Sequence, residues 1–188
     1  MSTGNIILIL IISVLAYGVF LYNRLVALRQ ETRNAFADID VQLRQRYDLI
    51  PNLMETVQGA ATHEAKTLLD VAEARNNAMK AQTLSERSQA ESSLTTALGN
   101  VFALAESYPA LKANENFLRM QSDLSDIEDK VAAARRFYNN AVAEYNTAIE
   151  QFPAALFAAS LGFRPTESFA LSETERSTVS EAPKVKFK

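Results

Sequence analysis

The residues of this chain that could take part in chemistry are few and widely separated. His63 is the single histidine, Glu64 follows it, and the sequence contains no cysteine. A zinc site on a helix needs a second histidine, and a di-iron bundle needs two Glu-x-x-His motifs, neither of which occurs here. The absence of cysteine also excludes disulfides and thiolate ligands. We therefore predict a non-enzyme with no catalytic residue, metal site or cofactor, and we interpret His63 as an exposed or interhelical polar residue.

A second set of polar side chains forms a charged cluster around a proline. Its members are Asp40, Arg44, Arg46, Asp48, Pro51 and Asn52. They lie among apolar residues that must face a core, so we expect Arg46 and Asp48 to pair with each other or with Asn52. Two interpretations stay open: an ionic clamp that fixes a bend, or a contact site for a partner or ligand. Buried pairs fix geometry more reliably than they add stability, which favours the clamp.

Pro51 predicts that a helix ends within this cluster. Proline lacks the N–H that would bond to the carbonyl of Tyr47, and it pushes the preceding Ile50 out of the helical region. Asp48 could then cap the following helix, with Pro51 in its first turn. We predict a tight helical hairpin at this point, and the alternative is one long helix that is kinked at Pro51.

The N-terminal residues form an apolar segment of membrane-spanning length. Residues 1–23 carry no charged side chain, and the seventeen residues from Ile6 to Tyr22 would span roughly 26 Å as a helix, close to the ~30 Å hydrocarbon core. The residues that we assign to the span include Ile6, Leu10, Val14, Tyr17, Phe20 and Tyr22. The alternative is a cleaved signal peptide. Against it, no Lys or Arg precedes the run, which continues past the small residues Ala16 and Gly18.

The charges of the chain predict its orientation and limit its partners. Arg24, Arg29 and Arg33 follow the span closely, so the positive-inside rule places the rest of the chain in the cytoplasm, with the periplasm as the alternative. The 19 basic and 22 acidic residues are nearly balanced. A domain with that balance has no basic footprint for nucleic acid, so we predict no nucleic-acid partner.

Apolar residues recur at helical spacing along most of the remaining chain. One stripe continues from the span to Ile50, and a second runs from Leu53 to Met79. Polar residues then suggest a turn, with Ser85 as a possible cap, before a third helix that Pro109 ends. The fourth helix has the longest stripe, with steps of three and four: Phe117, Met120, Leu124, Ile127, Val131, Ala134, Tyr138, Val142, Tyr145, Ile149 and Phe152.

These stripes predict an all-α fold. One N-terminal transmembrane helix (1–23) continues into an antiparallel up-down-up-down four-helix bundle of long helices (24–163) with short turns. The bundle ends in a short apolar segment, and an extended or disordered tail (164–188) follows. Because the fourth helix would return toward the bilayer, we expect four residues to rest on the membrane interface or to cap the foot of the bundle: Leu156, Phe157, Leu161 and Phe163.

Several motifs together resemble the LemA family. They include the block from Ile39 to Leu53 with its Asp-Leu-Ile-Pro-Asn-Leu run, Ala74-Arg75, Tyr108-Pro109 and the Tyr-Asn pairs at Tyr22, Tyr138 and Tyr145. The resemblance implies a bacterial inner-membrane protein with one N-terminal span and a helical bundle. It carries over no catalytic residue. It implies that some relatives take part in shaping membrane compartments and that others are associated with membrane proteases and stress responses.

We therefore expect a membrane-anchored helical bundle that contacts membrane lipid, self-associates, and organises or remodels the bacterial inner membrane. The alternative is an adaptor or regulator of a membrane protease or sensor kinase in a stress response. In that alternative, the charged cluster around Pro51 would be the contact surface.

Overall fold

The computed structural model describes residues 3–60 and 64–169, and these residues form helices without any β-strand. The helices are α1 (Thr3–Ala60), α2 (Ala65–Lys80), α3 (Leu84–Ala105), the short α4 (Pro109–Lys112), α5 (Glu115–Glu150) and one 3-10 turn (Ala154–Leu156). The all-α prediction is confirmed. The antiparallel four-helix arrangement stays a prediction, and both His63 and residues 170–188 of the predicted tail lie outside the described residues.

The chain divides into two compact units. Unit 1 draws on Met1–Ile39 and Ala133–Ser168, and unit 2 draws on Asp40–Ala132 and Phe169–Lys188. The division therefore falls inside α1 and inside α5. Each unit has its own packed residues.

The predicted hairpin at Pro51 is wrong, and the alternative of one long helix is confirmed. α1 runs for 58 residues with Pro51 inside it. The missing N–H of Pro51 leaves the carbonyl of Tyr47 without its helical donor. A side chain of α2 supplies another, because Arg75 Nε donates a hydrogen bond to that carbonyl at 2.8 Å. Asp48 consequently lies within the helix and is not an N-cap.

The turn between α2 and α3 is where the sequence predicts it, but Ser85 is not the cap. Thr83 is the N-cap of α3: its hydroxyl accepts from the N–H of Glu86 at 3.1 Å, and the Glu86 carboxylate accepts from the N–H of Thr83 at 3.1 Å. This reciprocal pair satisfies two backbone donors that a helix start leaves free. The backbone N–H groups of Thr83 and Gln82 lower the pKa of the Glu86 carboxyl.

The long apolar stripe predicted for the fourth helix is the buried face of α5, with one error at its end. Its fully buried members include Phe117, Leu124, Ile127, Val131, Tyr138, Val142, Tyr145 and Ile149. Phe152 lies beyond the helix and is 82% exposed. Met79, at the end of the second stripe, is also exposed, and Pro109 begins α4 instead of ending α3.

The core of unit 1 joins three parts of the chain. Leu25 and Leu28 of α1 pack with Tyr145 and Ile149 of α5. The residues that follow α5 complete the cluster with Ala154, Ala158 and Phe163. We call residues 151–168 the foot segment, because its apolar side chains close the core of unit 1 beside Leu25 and Leu28.

Candidate functional site

The first feature with functional meaning is the N-terminal part of α1. The predicted span residues Ile6, Leu10, Val14, Tyr17, Phe20 and Tyr22 are 51, 62, 62, 52, 60 and 43% exposed. Helix α1 is the one helix of the described residues that is long and apolar enough to cross a membrane. A core helix would bury these side chains in protein, whereas here they are largely exposed. An exposed apolar helix of this length fits the hydrocarbon interior of a bilayer.

The second feature is a buried ionic network in unit 2, centred on Arg46. Arg46 is 3% exposed and Glu91 of α3 is 2% exposed, and one guanidinium nitrogen donates to the Glu91 carboxylate at 3.0 Å. The other terminal nitrogen donates to the Thr95 hydroxyl at 2.9 Å and lies 3.8 Å from the Glu128 carboxylate. The second oxygen of Glu91 accepts a hydrogen bond from the Tyr47 hydroxyl. Residues of α1, α3 and α5 are thereby tied to one carboxylate–guanidinium pair.

This network keeps Tyr47 protonated. Burial raises the pKa of the Tyr47 hydroxyl well above its ordinary value, and the negative charge of Glu91 raises it further. The hydroxyl is therefore a hydrogen-bond donor at any physiological pH. The arrangement positions helices and presents no reacting atom to solvent.

The other members of the predicted cluster are not brought together with Arg46. Arg44, Asp48, Pro51 and Asn52 are exposed. Asp40 is also at the surface, where its carboxylate accepts from Arg87 of α3. The structure pairs Arg46 with Glu91, which lies 45 positions later, instead of with the expected Asp48. Arg46 therefore joins α1 to α3 through Glu91, and the expected pairing of Arg46 with Asp48 or Asn52 is not found.

Sequence reasoning missed Glu91, although a signal for it was present. Glu91 lies three residues before Leu94 and seven before Leu98, so it belongs to the apolar stripe of α3. A carboxylate in such a stripe needs a buried partner, because an unpaired buried charge is strongly unfavourable. Arg46 occupies the equivalent position in the stripe of α1, between Leu43 and Ile50.

The third feature is the foot segment of unit 1. Of its four predicted interface residues, Phe163 is 2% exposed and Phe157 packs against the core, so these two hold the segment in place. Leu156 and Leu161 are 76 and 47% exposed and face outward. Their contact with a bilayer stays a prediction.

Two of the Tyr-Asn pairs hold the foot segment along α5. The Asn146 amide donates to the carbonyl of Thr166 and accepts from its N–H, both at 2.9 Å. One helical residue thus satisfies both backbone groups of Thr166, as a neighbouring strand would. The Tyr138 hydroxyl donates to the carbonyl of Glu167 at 2.8 Å. The third pair acts through its ring, since Tyr22 meets Phe163 edge-on with centroids 5.6 Å apart.

A model of the LemA family matches residues 35–187 of this chain. The chain belongs to the LemA family. The matched region contains the ionic network of unit 2 and both Tyr-Asn pairs of α5, so the features that position the helices lie within the LemA part of the sequence.

Relatives of this LemA-family protein include magnetosome proteins. It is similar to Magnetosome protein MamQ of Magnetospirillum gryphiswaldense, with 24% identity over 90% of this chain and 74% of the relative. Magnetosome protein MamQ 2 of Paramagnetospirillum magneticum is 23% identical over the same shares. Protein LemA of Metamycoplasma hominis is 27% identical, over 87% of this chain and 78% of the relative. With the exposed apolar helix, these similarities indicate a membrane-associated protein.

None of these names describes a reaction. Among residues 3–60 and 64–169, no group of three or more His, Asp or Glu side chains is placed to hold a metal ion. The hydrogen bonds and ion pairs described above position helices and backbone.

Proposed function

We propose that this LemA-family protein is a non-enzymatic, membrane-anchored scaffold that self-associates and organises or remodels the bacterial inner membrane, with its helical domain in the cytoplasm. The observation that carries this proposal is the continuity of α1. The exposed apolar residues up to Tyr22 pass without a break into Leu25 and Leu28, which lie in the core of unit 1. A span that shares a helix with the domain core holds unit 1 close to the bilayer surface.

The foot segment supports contact with the bilayer. Phe163 touches Tyr22 at the end of the apolar run, so the segment lies at the depth of the membrane interface. Leu156 and Leu161 are exposed at this level. Apolar side chains that enter the interface from one leaflet contribute to membrane binding and respond to curvature.

Self-association needs a surface other than the stripe of α5. That stripe is buried within one chain, as its residues Tyr138, Val142 and Tyr145 show. Phe137, on the outward face of α5, is 51% exposed and is available to a second copy. The span itself offers further apolar surface within the bilayer. The similarity to magnetosome proteins supports a role in organising membrane.

The experiment that tests the proposal measures the mass of the full-length protein in nanodiscs and images vesicles that contain it. We expect an assembly of several copies and altered vesicle shape. Phe137→Ser should reduce the assembly, whereas Leu69→Ser, a matched change at an exposed position of α2, should leave it unchanged.

A second pair of variants separates membrane shaping from assembly. Leu156→Glu with Leu161→Glu should abolish the change in vesicle shape while the assembly persists, because charged side chains do not enter the apolar interface. A monomer with unaltered vesicles would overturn the proposal. It would make the adaptor or regulator of a membrane protease or sensor kinase the leading function.

A further inference from the structure

A cavity of about 600 Å³ lies within unit 1, between α1, α5 and the foot segment. Three arginines line it: Arg29 and Arg33 of α1, and Arg164 of the foot segment. Aromatic side chains, including Phe36 and Tyr138, form much of the remaining wall, and no Asp or Glu is among the lining residues. The cavity therefore combines concentrated positive charge with apolar surface.

These three guanidinium groups lack the carboxylate partners that Arg46 and Arg87 have in unit 2. Among the residues that the structure describes, no ion pair joins Arg29, Arg33 or Arg164 to a carboxylate. Arg29 instead lies over the ring of Phe163, 4.9 Å from its centroid, and this contact leaves its N–H groups available. Like charges around one cavity repel each other, and an anion between them would remove that repulsion.

The Glu167 carboxylate lies near the cavity without lining it. Tyr138 has a raised pKa, first because of burial and then because of the negative charge of Glu167. The Glu167 side chain is exposed, and it is the Glu167 carbonyl that accepts from Tyr138. Three lining guanidinium groups and no lining carboxylate among the described residues make the cavity electropositive.

The depth of the cavity fits the phosphate layer of a membrane. At 1.5 Å per residue, Arg29 lies about 10 Å beyond Tyr22 along α1 and Arg33 about 16 Å. The headgroup layer extends roughly 5–8 Å beyond the hydrocarbon core, and the flexible Arg29 side chain can reach it. Arg33 lines the same cavity on the side farther from the span. Phe163, which contacts both Tyr22 and Arg29, places the neighbouring Arg164 at the same depth.

The turn before Arg164 borders the cavity. Gly162 has a φ of +80°, a left-handed conformation that favours glycine, and no side chain closes the turn. Leu161, the preceding residue, is exposed and apolar. A ligand with a phosphate among the arginines could therefore extend apolar chains beside Leu161.

We propose that this cavity binds the phosphate group of an anionic membrane lipid. Guanidinium groups match phosphate geometry through paired N–H donors, and basic pockets beside membrane spans suit lipid headgroups. The proposal rests on the membrane anchoring in the proposed function and does not depend on self-association. It assigns the foot segment a ligand-binding role in addition to its packing role.

Native mass spectrometry of the full-length protein in a nonionic detergent tests this proposal, because it counts bound molecules directly. The protein is titrated with dioctanoyl phosphatidylglycerol, with dioctanoyl phosphatidylcholine, and with inorganic phosphate. We expect the anionic lipid to bind preferentially. The double variant Arg33→Gln with Arg164→Gln should weaken that binding about tenfold or more, as expected for lost charge-assisted hydrogen bonds.

Arg24→Gln is the matched control. Arg24 is exposed and lies closer to the span, but it does not line the cavity. If Arg24→Gln and the double variant lost the same amount of anionic-lipid binding, general surface charge would explain the binding and the proposal of a site in the cavity would be wrong. If inorganic phosphate bound as tightly as the anionic lipid, the cavity would be a site for free phosphate and the proposal of a lipid ligand would be wrong. Equal binding of the two lipids by the wild type would overturn the proposal even if the double variant did not fold.

The same spectra report the number of copies, which separates this proposal from the proposed function. A monomer that retains the anionic lipid would contradict self-association alone. An assembly that shows no preference for the anionic lipid would contradict the lipid site alone.

Discussion

Arginines have different roles in the two units. In unit 2, Arg46, Arg75 and Arg87 each bind an acceptor of the protein: a buried carboxylate, a backbone carbonyl and a surface carboxylate. In unit 1, Arg29 and Arg164 form no ion pair with the described carboxylates and line one cavity. The difference teaches that a guanidinium group within this fold can join helices, as in unit 2, or can line a cavity with its N–H groups available, as in unit 1.

The units also satisfy free backbone groups by different means. In unit 2, a charged side chain, Arg75, donates to the carbonyl that Pro51 leaves without a donor. In unit 1, a neutral side chain, Asn146, serves both backbone groups of Thr166. A buried charge makes a stronger bond but is more costly to leave unpaired. Substitutions in unit 2 should therefore cause the larger losses of stability.

The largest expected loss comes from Glu91→Ala, which leaves Arg46 buried without its carboxylate. We expect the free energy of unfolding to fall by about 3–5 kcal/mol, the range for a buried pair that has lost one partner. Urea unfolding of the full-length protein in detergent, followed by far-UV circular dichroism, measures it. Glu73→Ala, at an exposed position of α2, is the control. If Glu91→Ala and Glu73→Ala lowered the free energy of unfolding by similar amounts, the buried ion pair would not make unit 2 the more sensitive unit.

An intermediate loss is expected for Arg75→Ala. The carbonyl of Tyr47, a buried residue, would lose a charge-assisted hydrogen bond, at a cost of about 1.5–3 kcal/mol. The effect should concentrate in α1, so hydrogen exchange of its amides around Pro51 should accelerate. Asn76→Ala, the neighbouring exposed position, should change neither quantity. Unchanged protection in Arg75→Ala would mean that α1 tolerates Pro51 without this donor.

The smallest and most local effect is expected for Asn146→Ala. Two neutral hydrogen bonds to Thr166 are lost in a half-buried place, so the global loss should be about 1 kcal/mol. The amide of Thr166 should exchange much faster while the amides of α5 remain protected. Asn140→Ala, at an exposed position of the same helix, is the comparison. Global unfolding in Asn146→Ala would show that the foot segment is required for the whole of unit 1.

The spacing of apolar residues predicted most of the helices. Features that depend on contacts between residues far apart in the sequence could not be predicted in this way. The stripe from Phe117 to Ile149 and the unbroken start of α1 follow from spacing alone, because helical periodicity is a property of neighbouring residues. The course of the chain at Pro51 does not, since the carbonyl that Pro51 leaves free is bound by Arg75, which is 28 positions away from Tyr47. The capping box of Thr83 and Glu86 was readable from the sequence, and the choice of Ser85 overlooked it.

The candidate sites divide in the same way. Composition and length identified the exposed span, whereas the pairing of Arg46 with Glu91 needed the fold. The basic cavity was harder still to predict from the sequence. From the sequence, Arg29 and Arg33 predict only the orientation of the span. Arg164 lies in the segment that the sequence predicts to be an extended or disordered tail. The hydrogen bonds of Asn146 bring that segment back to α5.

Because α1 continues without a break from the span into the core of unit 1, the span has a fixed rotation about the helix axis relative to that core. Successive residues of a helix are separated by about 100° around its axis. The angle between Tyr22 and Leu25 around the axis of α1 is therefore fixed. The span cannot rotate about that axis independently of unit 1. Copies that meet through one side of their spans would also present one side of unit 1 to each other. Deleting a single residue between Tyr22 and Leu25 would rotate that relation by roughly a quarter turn or more.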